Sequence, residues 1–431
     1  MNEARVIEIL KSPDLIREPL HTAIATEGQL LLNFDAQLDR LHFRPNAAIT
    51  AGYAVTYQVG ASGDTVTDYL VLATGDWREK AQRAGTPLAY VQRDEIGLSI
   101  WRHPDDPELP GLRGACTPAT VAEWLSDCGI ETNETLQPEI LVYRPTRRAV
   151  IRATWRDPEP HAVYLKVVPE RKATKIVQRH KLASAIGPKL LAQPVQGVVI
   201  TAENSGAPLS ERYSQFSREG APLPTLREVE ALLDALPSET AAIESRPSWT
   251  DSIATYKRSA VQELPSEGRR IAELCAKVKE FAHAGTEPPT VPTHGDFYEA
   301  NIFASAAGKP TSVIDIDNLG PGHREDDLAC LLGHMAVLPS LSPAHYENLG
   351  PAIEEWYWDA CERHSPVRLA ARIAGVVISL ISGAHGENAR AWLEVAEQWA
   401  ARAELAATKN CLSPQVRLEE NDAQVSTKEV L

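Results

Sequence analysis

No C-x-x-C pair occurs among the six cysteines, Cys116, Cys128, Cys275, Cys330, Cys361 and Cys411. Neither a zinc site nor a disulfide framework is signalled, so reduced and mostly buried thiols are expected. The opening residues, MNEARVIEILKSPDL, carry acids and lack the apolar run of a signal peptide. Nowhere do about 18 apolar residues follow one another, the length a spanning helix needs. These absences predict a cytoplasmic protein without a membrane partner. A P-loop is excluded, because no G-x-x-x-x-G-K-[ST] surrounds Gly308 and Lys309, and neither G-x-S-x-G nor H-E-x-x-H occurs anywhere. An excess of positive charge is missing too: 43 basic against 58 acidic residues give a formal charge of −15. That charge repels nucleic acid, and it favours a cationic ligand if some of the acids line a cleft rather than solvated surface.

At 431 residues, 43% hydrophobic and 23% charged, the chain has the balance of a globular protein of two or three packed units. The runs EILVYRP, RAVIRATW and HAVYLKVV are rich in β-branched and aromatic residues and read as three strands. The stretch ERKATKIVQRHKLASAIG then reads as a helix that ends at Gly187. Beyond about Leu223 the pattern turns helical, with Ile271, Leu274, Cys275, Val278 and Phe281 on one face.

The N-terminal third holds an echo of the same sheet. LHFRPNAAITAGYAV resembles LVYRPTRRAVIRATW, and TDYLVL resembles AVYLKV, which suggests either a duplicated hairpin unit or two ordinary hairpins with alike turns. The copy places Val71 where the other has Lys166. WRHPDDPELPGLRG reads as a rigid connection and TPATVAEWLSDCG as a capped helix. The expected domains are a cap over residues 1–132, a small sheet lobe over 133–203, a helical lobe over 204–412 and a polar tail over 413–431.

In THGDFYEANIF, Asp296 stands on a loop ahead of a short strand, and Asn301 follows it at the start of that strand. After the turn ASAAGKP a second strand, TSVI, ends in Asp315. A hairpin centred on Gly308 sets Asn301 opposite Asp315, with Cα atoms ~5 Å apart. An amide oxygen and a carboxylate so placed can ligate one hard cation, and Mg accepts a few protein oxygens together with phosphate oxygens. Asp296 is then held beside the metal, where it can position an acceptor hydroxyl.

HGDFYEAN followed by VIDID resembles the H-G-D-x-x-x-x-N and I-D signatures of the aminoglycoside phosphotransferase and choline kinase superfamily, relatives of the protein kinases. The likeness covers about Pro138 to Leu338. It implies an α+β, bilobal protein-kinase-like fold with a small antiparallel-sheet N-lobe, a mainly helical C-lobe and here an N-terminal α+β cap. It implies a kinase that moves the γ-phosphoryl of ATP or GTP, with Mg, to a hydroxyl of a small molecule. By the same likeness Asp296 is the catalytic base, His294 holds the catalytic loop, and Asn301 and Asp315 are Mg ligands. Asp327 in DDLACLL is the aspartate that braces that loop, and Lys166 in VYLKVV grips the α- and β-phosphates. In VVITAENSGAPL the backbone around Thr201 to Glu203 would bind an adenine edge.

Two departures stand out. No glycine-rich loop separates the first two strands, where Pro145, Thr146, Arg147 and Arg148 stand instead. The helix after Lys166 has no acid beyond Glu170, so the partner of that lysine stays open. Asp317 and Glu299 fit metal, acceptor, solvated or capping roles equally, while His323 and Asp326 suit local hydrogen bonds. Trp356, Trp358, Asp359, His385, Glu387 and Trp392 suit either an acceptor platform for sugars or amino groups or the helical core. The N-terminal unit resembles the caps of maltokinase and glucosamine-kinase-like members, which points to a sugar, amino sugar or aminoglycoside-like acceptor. Two rival readings share the fold: a kinase of Ser/Thr hydroxyls in a natural-product peptide, and a pseudokinase scaffold. The oligomeric state is left open.

Overall fold

The computed structural model describes residues 3–25, 31–42, 48–60, 63–93, 95–195, 197–384 and 386–411. The chain divides into two compact units, one of residues 1–178 with 189–203 and one of residues 179–188 with 204–431. The tail beyond residue 412 and His385 lie outside the described residues.

The first unit opens with helices α1 (Glu3–Lys11) and α2 (Pro13–Ile24). Strands β1 (Leu31–His42), β2 (Thr50–Val59) and β3 (Thr65–Thr74) follow, then helix α3 (Arg78–Ala84) and strands β4 (Ala89–Arg93) and β5 (Ile96–Arg102). Val6, Leu10, Ile16 and Leu20 of the two helices share a core with Tyr53, Leu70, Leu72 and Ile100 of this sheet, so one sheet face is covered by the amphipathic helix pair. Short helices α4 (Leu112–Ala115) and α5 (Pro118–Ser126) lead to β6 (Gln137–Arg144), β7 (Arg148–Asp157) and β8 (Glu159–Val167), helix α6 (Glu170–Leu182), β9 (Leu190–Val195) and β10 (Val198–Ala202). The strand order is β1-β2-β3-β5-β4 in one sheet and β6-β7-β8-β10-β9 in the other, both antiparallel, with a helix after the third strand each time. Register carries the repeat to single residues: Val71 stands between Gly52 and Trp101 where Lys166 stands between Val150 and Val199. The echo in the sequence is thus a repeat of a whole five-stranded unit rather than of one hairpin.

The connection between the two sheets is a buried strut. Asp106, fully buried, accepts from the Thr146 N–H at 2.7 Å and the Tyr143 hydroxyl at 2.8 Å. Glu108 pairs with Lys80 of α3 and, at 2.8 Å, with Arg171 of α6. Helix α6 ends at Leu182, five residues short of the expected glycine stop. Residues 183–186 turn instead, and the Ile186 carbonyl accepts from Val313 in the second unit at 2.8 Å. Thr117 does not cap α5 with its side chain; its hydroxyl donates to the Arg113 carbonyl.

The second unit runs β11 (Ala207–Pro208), α7 (Leu209–Glu219), α8 (Leu226–Asp234), α9 (Ile253–Glu263) and α10 (Gly268–Ala282). Strands β12 (Val291–Thr293), β13 (Ile302–Ala304), β14 (Pro310–Val313) and β15 (Gly320–Gly322) come next. Helices α11 (Arg324–Leu341), α12 (Pro343–Tyr346), α13 (Gly350–Cys361), α14 (Pro366–Leu380) and α15 (Glu387–Cys411) complete it. Ile271, Leu274, Cys275 and Val278 of α10 enter one large core with α11, α14 and α15, as their spacing predicts. The segment 366–383 has the length and apolarity of a membrane span, yet two-thirds of it is buried among these helices. The chain is α+β, with antiparallel sheets first and a helical part after them.

Candidate active site

The loop between β12 and β13 carries His294 to Asn301, and hydrogen bonds hold it at both ends. Asp327, in the first turn of α11 and wholly buried, accepts the backbone N–H of His294 at 2.8 Å and of Gly295 at 2.9 Å, one on each carboxylate oxygen. Burial pushes this carboxyl up to about 7, against the pull of the two N–H donors. Gly295 has φ +76, and a Cβ there would meet the Asn318 carbonyl oxygen at 2.6 Å, so only glycine lets the loop lie on the 318–320 backbone.

His294 links the two halves of the site. Its Nε2 lies 2.9 Å from the Ile314 carbonyl, which can only accept, so the proton sits on Nε2. Nδ1 is left to accept the Asp296 N–H at 3.2 Å. One neutral imidazole therefore ties the residue that bears the candidate base to the residue before Asp315. Burial lowers its pKa to about 4, so it does not change charge near neutrality.

Asn301 donates through Nδ2 to the Asp296 carbonyl at 2.9 Å, which turns its Oδ1 away as the remaining ligating atom. The strand pairing differs from the expectation by one residue. Ile302 faces Val313 and Phe303 faces Ser312, and the Ile314 N–H donates to the Asn301 carbonyl, so Asn301 stands opposite Ile314 rather than Asp315. An irregularity between Phe303 and Ala304 breaks the symmetry of the turn, which no residue choice in ASAAGKP announces. Asp315 leaves the strand with φ +56, a left-handed conformation that a non-glycine residue holds only where its surroundings fix it. An amide oxygen and a carboxylate on adjoining strand ends suit Mg, which takes few protein ligands. Among the described residues no three His, Cys, Asp or Glu side chains cluster as a metal cage, so phosphate and water would complete the shell.

The other expected residues fall as follows. Lys166 lies in β8 between Val150 and Val199. Thr201 lies inside β10, facing Tyr164, and Glu203 stands just past the strand end, where it accepts from Arg152 at 2.8 Å. Glu299 is buried, with Oε2 lacking a partner among the described residues, and burial raises its pKa to about 7. Asp326 pairs with Arg372, and His323 reaches the Pro289 carbonyl at 3.4 Å, both local roles. Trp356 and Trp392 belong to the core; Asp359 is held by Arg363 at 3.1 Å; Trp358 and Glu387 are exposed. Trp356 and Trp392 thus supply packing, in line with the burial that large rings favour, and Trp358 does not. Arg246 was not foreseen: it donates to the Gly295 carbonyl at 2.9 Å from a loop whose sequence carries no motif.

The description "Phosphotransferase enzyme family" matches residues 223–364, a span that holds the whole loop and α11. That match covers about a third of the chain. Among solved structures, the chain is similar to a choline kinase of Cryptosporidium parvum, at 12% identity and a TM-score of 0.42, over 69% of this chain and 94% of that one. A thermostable mutant of the aminoglycoside phosphotransferase APH(4)-Ia gives 14% and 0.42 over 68% and 100%. The macrolide 2'-phosphotransferase MphH of Brachybacterium faecium gives 19% and 0.38 over 67% and 96%. No curated protein matches the chain in sequence.

Proposed function

We propose that this phosphotransferase moves the γ-phosphoryl of ATP or GTP to a hydroxyl of a small acceptor of the sugar or amino-sugar class. The observation that carries the reading is the single hydrogen-bonded chain from Asp327 through the His294 and Gly295 amides, and from the His294 ring to Asp296 and Ile314. That chain fixes the spacing of the base and the metal ligands before any substrate arrives, the preorganisation that transfer requires. Asp296 takes the acceptor proton as the acceptor oxygen bonds the γ-phosphorus; the bond from that phosphorus to the β-bridging oxygen breaks, and nucleoside diphosphate leaves. Asn301 and Asp315 would hold Mg, which when bound neutralises charge developing on the phosphoryl oxygens. Lys166 is assigned to the α- and β-phosphates, and the backbone at Thr201 to Glu203 to the base, on the family resemblance.

We assign the enzyme to the cytoplasm on the chemistry of its thiols. Cys116, Cys128, Cys275, Cys330 and Cys361 are all free and partly or wholly buried, as suits a reducing compartment. The reading is tested by ADP release against sugars, amino sugars, sugar acids, sugar phosphates, aminoglycosides, choline and small peptides; no release with any acceptor, or release with choline or peptides alone, contradicts it. Lys166→Ala is expected to raise the apparent KM for nucleotide and lower turnover in a folded protein, a loss of about 1.5–3 kcal/mol for a charge-assisted phosphate contact. Unchanged nucleotide kinetics would remove Lys166 from the site.

A further inference from the structure

The segment between Ile243 and Thr250 brings one cation against the backbone of the residue before the candidate base. Arg246 Nη1 donates to the carbonyl of Gly295, the residue before Asp296, at 2.9 Å. Its guanidinium carbon lies 5.2 Å from the centre of the Trp249 ring, and Trp249 is itself packed on the main core. The backbone beneath is close-packed: a Cβ on Gly320 would meet the Glu244 carbonyl oxygen at 2.9 Å, and Ser245 donates to the Pro321 carbonyl. Arginine is thus clamped at its peptide, at one nitrogen and over one ring face, while the rest of its planar donor fork is exposed.

Several arginines of this acidic protein are neutralised internally, and Arg246 is not among them. Elsewhere in the same unit Arg270, Arg324, Arg363 and Arg402 each pair with a carboxylate within 3.2 Å. Among the described residues no carboxylate lies within ion-pair distance of Arg246. A guanidinium fixed on an aromatic face and left without an internal anion presents bidentate geometry to one from outside.

We propose that Arg246, supported by Trp249, binds an anionic group of the acceptor, so that the substrate is a hydroxyl compound bearing a carboxylate or a phosphate. The inference rests on the kinase reading and narrows it: an amino sugar would bring a second positive charge to this corner, whereas a sugar acid or sugar phosphate would be held with its hydroxyl near Asp296. The expected aromatic and acidic platform around Trp356 and Asp359 gives no competing cation site, since those side chains are spent on packing and on Arg363.

The test uses the full chain with four probes: glucose, glucosamine, gluconate and glucose 6-phosphate. ADP release is expected to be fastest, as kcat/KM, with gluconate or glucose 6-phosphate, the two arms separating carboxylate from phosphate. Arg246→Ala should raise the KM for that anionic probe about tenfold or more, lower kcat/KM for it far more than for glucose and leave the KM for ATP unchanged, with Arg246→Lys recovering part of the loss. Calorimetric titration of the same anionic probe without nucleotide provides a second readout: binding by wild type and its loss in Arg246→Ala. Binding that depends on Arg246 without ADP release from any probe would uphold the anion site and remove the kinase reading. The proposal is overturned if glucosamine is preferred, if neither anionic probe binds, or if Arg246→Ala changes only the KM for ATP. A loss equal for all four probes also overturns it, because that is what a mere strut on the Gly295 carbonyl would give.

Discussion

Asp296→Asn is expected to lower turnover by ~10²-fold or more while Mg-dependent nucleotide binding and stability stay near wild type. The side chain keeps its shape and loses only the ability to take a proton. Two contacts made by the Asp296 backbone hold the loop: the N–H donates to His294 Nδ1, and the carbonyl accepts from Asn301 Nδ2. The variant keeps both of them. Nucleotide titration and ADP release on the same protein read binding and turnover apart. Normal turnover would show that Asp296 is not the base.

Asp327→Ala should fail differently, through the fold. Its two oxygens are the acceptors for the His294 and Gly295 amides, and His294 is wholly buried. Removing them strands the buried His294 N–H, a cost of about 1–3 kcal/mol, and leaves the partly buried Gly295 N–H without its acceptor at a smaller cost. The loop that spaces Asp296 from Asn301 then loses its anchor, so turnover should fall at least as far as in Asp296→Asn, with the unfolding midpoint falling too. Asp327→Asn, with one oxygen left, should lie between. Denaturant unfolding followed beside ADP release checks both. A stable, active Asp327→Ala protein would mean that the brace is dispensable.

Much of this site was legible because its residues stand close in sequence and its chemistry demands particular side chains. The motif from His294 to Asp327 needs only two short strands and a helix start to bring it together, and β-branched runs marked the sheets well enough to place Lys166 in β8. The likeness of the two hairpins was legible for the same reason, since LHFRPNAAITAGYAV and LVYRPTRRAVIRATW share a pattern, whereas the repeated five-strand order was not. What escaped depends on geometry that side-chain patterns do not encode. A one-residue slip in a bulged turn moved Asn301 opposite Ile314, and only the left-handed backbone of Asp315 re-aims that carboxylate. Trp356 and Trp392 have the periodicity of core and platform alike, and only packing decides between them. Arg246 meets Gly295 across 49 positions of sequence from an irregular loop, where no periodicity exists to signal it.

The most direct measurement of the central claim is nucleotide titration of wild type and Asp315→Asn, each with and without Mg. If Asn301 and Asp315 hold the metal that bridges protein and phosphates, wild type should bind ATP more tightly with Mg than without it, and Asp315→Asn should lose that difference together with phosphoryl transfer. An Asp315→Asn protein whose nucleotide binding keeps the full Mg dependence of wild type would contradict the assignment of this segment as a phosphoryl-transfer site.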